Sequence, residues 1–376
     1  MNKEYHESMQ ITKAFRFCPN AFRIDMYRGC DFGCKYCFAN MEWKATQHYG
    51  WAEAKIEKIR KRFELAFDTP EKESKDILVE LLRHRVPLHC GGMSDPFQSR
   101  EDEMGLTYQL IELCNEYDYP IIFSTKTAKL NEKYFNVLTP RLHAFQVSIM
   151  GFPGKYTDIW ESNTPSAEER LDFVRELRRK NFWCSIRIQP IINIKNVLYL
   201  IKESADIPSY YTVEHLRMIY DNESGMKCFH ELVENKEDFI NTPHHLEFKR
   251  NVKIENIKKI QELANSYGVR VGVGDNDLHY LSQSRNCCGL DMIGGEFDNY
   301  LKYNLTYMST GKTEFDKLYI PKGNPRKHIN DVYAGSVIDC KNYTDEYIRK
   351  HWDYVGGEYK ADVEKYLFGR VSRKLF

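Results

Sequence analysis

Along the chain, apolar residues fall into two alternating patterns. Short runs that are almost wholly apolar or β-branched recur at 22–26, 87–91, 120–125, 144–149, 184–192 and 215–220, with a further one at 269–273. Runs of this length with little polar alternation are what parallel strands covered on both faces require. Helical patterns lie between them. Ser166 and Glu169 form a capping-box pattern just after Pro165, and Leu171, Val174 and Leu177 follow at helical spacing. Ile254, Ile257, Ile260 and Leu263 make a second apolar stripe, which Gly268 ends. Leu106, Leu110, Leu113 and Cys114 make a third. Residues 41–85 read as a long, charged, mostly helical insertion between the first two strands.

Strand–helix alternation of this kind predicts βαβ units joined by right-handed crossovers. About six units predict an α/β fold, a partial (β/α)6 TIM-like barrel over residues 1–274. Past Asp275 the rhythm is lost among Gly294–Gly295, a proline-bearing stretch at 321–325 and Gly356–Gly357. Residues 275–376 are therefore expected to form a C-terminal extension that caps the barrel.

Composition narrows the function. Lys plus Arg number 54, as do Asp plus Glu, so the formal net charge is zero. A chain-wide field drawing the protein to nucleic acid or to a membrane is excluded, and only local patches remain. No stretch reaches the roughly 20 apolar residues of a bilayer span. The opening MNKEYHESMQ lacks the apolar centre of a signal peptide. The expectation is a cytoplasmic protein with no membrane partner, whose 11 cysteines serve as core residues or ligands rather than disulfides.

Three of those cysteines stand together. Cys30, Cys34 and Cys37 occur as CDFGCKYC, directly after the strand FRIDM and in a glycine-bearing loop. Three thiolates so spaced can wrap one soft metal centre. A structural zinc would need a fourth ligand from elsewhere. A cubane iron–sulfur cluster held by three cysteines would keep one iron open for chemistry. Three buried loop cysteines are the plainest alternative.

CDFGCKYC resembles the Cys-x3-Cys-x2-Cys signature of radical S-adenosylmethionine (SAM) enzymes, including the aromatic before the last cysteine. The surrounding MYRGCDFGCKYCFAN is similar to the subgroup containing spore photoproduct lyase and the DNA repair photolyases. GGMSDPFQ, beginning at Gly91 and followed by Glu101, and ESNTPSAEERL, beginning at Glu161, resemble two further segments of that subgroup. The resemblance covers roughly residues 15–200. It implies a radical SAM partial barrel, a [4Fe–4S] cluster on Cys30, Cys34 and Cys37, and SAM chelated at the open iron. It also implies an electron donor of flavodoxin or ferredoxin type. The cleaved cofactor would give a 5′-deoxyadenosyl radical that abstracts hydrogen from substrate, while the protein binds, orients and excludes water.

Residue roles follow from the same resemblance. Tyr36 would lie by the adenine. Gly91, Gly92 and Met93 would offer backbone to the cofactor's amino group. Lys126 would pair with its carboxylate, and Ser148 would bond the carboxylate or ribose. Arg187, inside the apolar run SIRIQPII, needs an anion, either the cofactor or a structural carboxylate. Asp95 would orient the loop or bind substrate. The lyase has a hydrogen-donating cysteine where this chain has Gly92. Cys90, two residues earlier on the same strand, is the candidate to reach that cavity instead. Cys287 and Cys288 are candidates for hydrogen donation, or for a second metal site with Cys228 or Cys340; a packing role is the alternative.

The subgroup implies a nucleic-acid substrate. Basic stretches at 55–62, 175–180, 249–253 and 321–328 would supply phosphate contacts. A peptide, nucleoside or small metabolite is the alternative substrate, and a zinc-stabilised binding protein without catalysis is the alternative class.

Overall fold

The computed structural model describes residues 3–5, 8–11, 20, 22–39, 51–72, 74, 76–242, 245–275, 278–284 and 286–303. The expected extension beyond residue 303, Cys340, the basic stretch at 321–328 and residues 41–50 of the insertion lie outside the described residues.

One eight-stranded sheet organises the described chain. Its strands are β1 (Met9–Ile11), β2 (Phe22–Ile24), β3 (Leu88–Cys90), β4 (Ile121–Thr125), β5 (His143–Ser148), β6 (Trp183–Ile191), β7 (Tyr210–His215) and β8 (Val271–Val273). They lie side by side in chain order. β1 runs antiparallel to β2, and every other neighbouring pair is parallel. β4 and β5 are buried along their whole length, and the buried side chains include the polar Ser124, Gln146 and Ser148 beside apolar ones. The expected α/β class and parallel sheet are present, and among the described residues the sheet does not close into a full barrel.

The sheet is nonetheless strongly curved. In a flat sheet, strands two apart are separated by about 9.5 Å, too far for short side chains to meet. Here Gln146 Nε2 of β5 donates to Thr212 Oγ1 of β7 at 3.3 Å. Arg187 Nη1 of β6 reaches Ser124 Oγ of β4 at 3.1 Å. His89 of β3 meets the same Ser124 at 2.7 Å, and Ser124 donates to Gln146 at 3.0 Å. The concave face is thus a lumen crossed by one polar chain. Apolar side chains on the outer face pack under helices such as Leu106–Glu116, Ala167–Arg179 and Arg250–Ser266. The capping box at Ser166 and Glu169 forms as its sequence predicts.

One expectation needs correction. The run at 215–220 is not one strand. The sheet takes Tyr210–His215, and Arg217–Ile219 leaves it to pair with His245–Phe248 in a separate three-stranded sheet. Both stretches favour β structure, and the break between them is set by what each packs against. That small sheet and the helix Glu223–Leu232 build a second apolar core with Trp160, Leu216 and Phe229, against which Tyr36 packs. In the insertion, the described part pairs Ala52–Glu53 with Tyr27–Arg28 before the helices Ile56–Phe67 and Ile77–Arg83.

Candidate active site at the strand ends

The C-terminal ends of the parallel strands open into a cavity of about 220 Å³. Cys30, Cys34, Tyr36, Cys37, Gly91, Gly92, Met93, Asp95, Lys126, Ser148 and Arg187 all line it, together with Gln189, Glu214, His215 and Arg217. Residues more than 150 positions apart are gathered there because every strand in the parallel series delivers its C-terminal end to the same side.

The cysteine loop is fixed from three directions. Gln98 accepts from the Asp31 amide at 3.2 Å and donates to the Gly29 carbonyl at 3.1 Å. The Trp160 carbonyl accepts from the Lys35 amide at 2.9 Å, and Asn222 Nδ2 donates to the Lys35 carbonyl at 2.6 Å. All three thiols are free of disulfides. Burial pushes Cys34 up to about 12, and burial, then Asp95, raises Cys30 as well. Such thiols lose their protons readily only to a metal. Free, soft donors lining one cavity suit an iron–sulfur centre. Among the described residues no group of three or more His, Cys, Asp or Glu side chains is gathered as around a single ion.

Behind the loop lies a buried ion pair. Arg170 Nη2 meets Glu161 Oε2 at 2.7 Å, with both side chains 1% exposed. Tyr36 donates to the other Glu161 oxygen, and Arg170 Nη1 donates to the Ser148 carbonyl at 2.8 Å. The pair therefore links the CDFGCKYC loop to the end of β5. The ESNTPSAEERL segment contains both residues, and helical phase carried a signal for Arg170: it shares the buried face with Leu171, Val174 and Leu177.

The strand-end loop after β3 is held by two buried acids. Asp25 Oδ1 accepts from the amides of Met93 at 2.8 Å and Ser94 at 3.3 Å. Asp95 accepts from Phe97 N at 3.0 Å, Thr125 Oγ1 at 2.8 Å and Lys126 N at 2.6 Å, which ties β3 to β4. Both Asp95 oxygens are thus spent on orienting the loop. Glu101 anchors the next turn, accepting from Thr107 N and Tyr108 N at 2.9 Å each and from the hydroxyls of Tyr27 and Tyr134.

Gly91 and Gly92 differ in kind. Gly91 has φ of +99°, and a Cβ there would stand 2.2 Å from the Ser124 carbonyl oxygen. At Gly92 a Cβ would meet Arg23 and Asp25 at 3.4 Å or more, which is ordinary contact. Gly91→Ala is expected to cost at least about 3 kcal/mol, from left-handed strain plus the clash. Gly92→Cys is expected to leave the urea midpoint near wild type while adding a thiol on the cavity wall. Equal losses in the two variants would contradict this assignment.

Lys126 lies with Nζ 5.7 Å from the Tyr36 ring centroid. Burial alone would lower its pKa, but Cys34 and then Glu161 outweigh that and raise it, so the ammonium stays charged. Arg187 bonds neutral partners, Ser124 and Gln189, rather than the structural carboxylate considered from sequence. His89 lies half-buried beside it. Burial first, then Arg187 and Arg23, hold its pKa near about 3, so it is neutral.

Three cysteine candidates fall outside the cavity. Cys90 is fully buried in the main core, on the opposite face of β3 from the lumen residue His89. β3 ends at Cys90, and the left-handed turn at Gly91 breaks the parity that would have put Cys90 and Gly92 on one side. Cys287 and Cys288 lie at the other end of the lumen. Cys288 packs with Ile122, Ala144, Leu290 and Phe297 near the starts of β4 and β5, and Thr212 Oγ1 donates to the Cys287 carbonyl at 2.7 Å. Their sulfurs are 3.9 Å apart without a disulfide. Cys228 belongs to the second apolar core with Phe229 and Trp160, not to this pair.

Residues 24–194 match the family described as the Radical SAM superfamily. The match contains all three cysteines of the loop. An uncharacterised protein of Methanocaldococcus jannaschii is 23% identical over 200 residues, which are 52% of this chain and 70% of that protein. An uncharacterised protein of Mycobacterium tuberculosis strain H37Rv is 24% identical over 207 residues, which are 50% of this chain and 56% of that protein. The match therefore spans little more than half the length of the mycobacterial relative. Among solved structures, a spore photoproduct lyase mutant with bound AdoMet and dinucleoside spore photoproduct shares the fold. Its TM-score is 0.50 at 15% identity, covering 70% of this chain and 77% of the lyase.

The family match over residues 24–194 identifies the protein as an enzyme. The chain carries a radical SAM domain over residues 24–194 and works with a [4Fe–4S] cluster and S-adenosylmethionine. The zinc-stabilised, non-catalytic alternative is set aside by this match.

Proposed function

We propose that Cys30, Cys34 and Cys37 hold the cluster, and that the cavity they share with Lys126, Ser148 and Arg187 is where hydrogen is abstracted from an organic substrate. The observation that carries this reading is the convergence of these six residues, with Tyr36, Gly91, Gly92 and Met93, on one cavity. A cluster held by Cys30, Cys34 and Cys37 would supply the electron for reductive cleavage of the cofactor, itself drawn from a flavodoxin- or ferredoxin-type donor. The chain's own residues do the rest. The backbone at Gly91, Gly92 and Met93 receives the cofactor's amino group, with Asp25 and Asp95 fixing its path. Lys126 meets the carboxylate as a charge-assisted partner. Tyr36 flanks the adenine, and its hydroxyl is held by Glu161. Ser148 and Arg187 complete the polar wall. The domain division we propose keeps residues 1–274 as the barrel and 275–376 as the extension.

The substrate we infer is a compact organic molecule or a peptide side chain. Among the described residues, several of the basic side chains at 55–62, 175–180 and 249–253 that would track a phosphate backbone are partnered within the fold. Arg60 pairs with Glu116 at 2.6 Å and Arg62 with Asp76 at 2.9 Å. Arg175 pairs with Asp172, Arg178 bonds the carbonyls of Ile207 and Phe182, and Lys253 is buried against Glu247. A nucleic-acid substrate is the second reading, favoured by the GGMSDPFQ and ESNTPSAEERL segments shared with the spore photoproduct lyase subgroup. Fluorescence-anisotropy titrations with single-stranded and duplex DNA decide between them. On the first reading, binding stays weak between 50 and 200 mM salt, whereas phosphate recognition through 6–10 contacts would lose roughly 10³–10⁵ in affinity over that range. A steep salt dependence from a tight low-salt complex would favour nucleic acid. Reductive release of 5′-deoxyadenosine from SAM by the reconstituted protein tests the shared part of both readings.

A further inference from the structure

Glu214 sits next to the end of β7, half-buried, on the cavity wall. Sequence reading passed over it, and the cluster and cofactor roles above do not use it. Its surroundings are rich in charge, yet each neighbour is engaged elsewhere. Arg187 gives Nη1 to Ser124 and Nε to Gln189. Arg217 turns to His245 at 3.3 Å. Lys253 lies 3.3 Å from Glu247 and 3.9 Å from Asp275. His215 is held through Nδ1 by Asp275 at 2.7 Å and through Nε2 by Asn256 at 3.3 Å, so neither ring nitrogen is left for the cavity. Among the described residues, none gives the Glu214 carboxylate a hydrogen bond or an ion pair.

A carboxylate partly withdrawn from water and given no partner is costly to keep ionised. Burial, reinforced by Asp275 and opposed by Arg187, Lys253 and Arg217, raises Glu214 to about 7. Position separates it from the cofactor side. Gly91–Met93, Lys126 and Ser148 follow or end β3, β4 and β5, and Arg187 is on β6, whereas Glu214 is on β7, the next strand along. A cationic group entering from solvent would give the carboxylate the charge-assisted hydrogen bond that the fold withholds. A neutral group of the same size would not.

We propose that Glu214 is the substrate-recognition group of this cavity, and that the substrate it takes presents an ammonium or guanidinium nitrogen. This rests on the reading of the cavity as the place of hydrogen abstraction. The contact orients the substrate by its charged end and leaves a neighbouring C–H to face the cysteine side.

The test is calorimetric binding to the iron- and sulfide-reconstituted protein with SAM present. Three probes are compared: agmatine, N-acetyl-lysine methylamide and the neutral isostere N-acetyl-norleucine methylamide. Wild type is expected to bind at least one cationic probe about tenfold or more tightly than the norleucine amide, the scale of one charge-assisted hydrogen bond. Glu214→Gln is expected to abolish that preference while the SAM dissociation constant stays unchanged. Glu214→Asp, which keeps the charge at shorter reach, is expected to retain part of the preference, and it serves where Glu214→Gln does not fold. Equal binding of cationic and neutral probes by wild type would overturn the proposal. So would a preference that survives Glu214→Gln, or a weakened SAM affinity in that variant. Failure of wild type to release 5′-deoxyadenosine would sink the proposed reaction instead, and the probe comparison would still judge Glu214.

Discussion

Cys34→Ala, reconstituted anaerobically with iron and sulfide and reduced with dithionite, is expected to form no 5′-deoxyadenosine above the protein-free control. Cys34 is 8% exposed and lies between the two other thiols of a loop fixed by Gln98, Trp160 and Asn222. A loop held this firmly cannot swing another donor into the vacated place. Removing even an outer partner of a metal ligand costs roughly 10–100-fold in affinity or activity. Loss of a ligand from a three-cysteine set should exceed that, with iron content falling in parallel. Far-ultraviolet circular dichroism should match wild type, because the loop's anchoring bonds do not involve the sulfur. Cys90→Ala is the contrast: its thiol packs in the core, so SAM cleavage should persist with some loss of stability. Cleavage by Cys34→Ala at wild-type rates, with iron retained, would refute the ligand assignment.

Arg170→Met is expected to destabilise the fold by about 3–5 kcal/mol, because it strands Glu161 as an uncompensated buried charge. The pair is almost wholly removed from solvent, so screening by water does not soften the loss. Urea unfolding read by tryptophan fluorescence should report it directly, since Trp160 adjoins the pair in sequence and is fully buried. The double variant Glu161→Leu/Arg170→Met should recover much of that loss, as apolar replacements of buried ion pairs do. It should still perturb the site, because the Tyr36 hydroxyl loses its acceptor and the Ser148 carbonyl loses its donor. A single variant as stable as wild type would show that Glu161 finds another partner.

Much of this architecture was legible in sequence because it is written locally. The apolar runs of β4, β5 and β6, the Ser166–Glu169 capping box, and Gly268 at φ +77° after the helix Arg250–Ser266 need only near neighbours to declare themselves. The cysteine loop was equally plain, since its three thiols fall within eight residues. What escaped depends on distant partners. β1 is a short antiparallel edge whose existence rests on pairing with β2. The division of the 210–220 region between two sheets follows from the core that Leu216 and Met218 join, not from β propensity. Cys90 was misdirected by a parity argument that Gly91 ends after one residue. Glu161, Arg170, Asp25 and Glu214 look like ordinary charges in a chain in which charged residues make up 29%. Only the folded arrangement shows which of them have left water.

The segment that floors the lumen also sets an order of events in time. Cys288, Leu290 and Phe297 pack against Ile122 and Ala144, more than 140 residues earlier in the chain. During synthesis at about 5–20 residues per second, those positions would wait several seconds or more for their cover. Until it arrives, the Gln146–Thr212 contact at the heart of the curved sheet faces solvent from below. The nascent sheet therefore passes through an interval in which its strands are paired but its interior is still wet. A translation pause before residue 287 would lengthen that interval, and with it the exposure of the sheet's inner face to other chains.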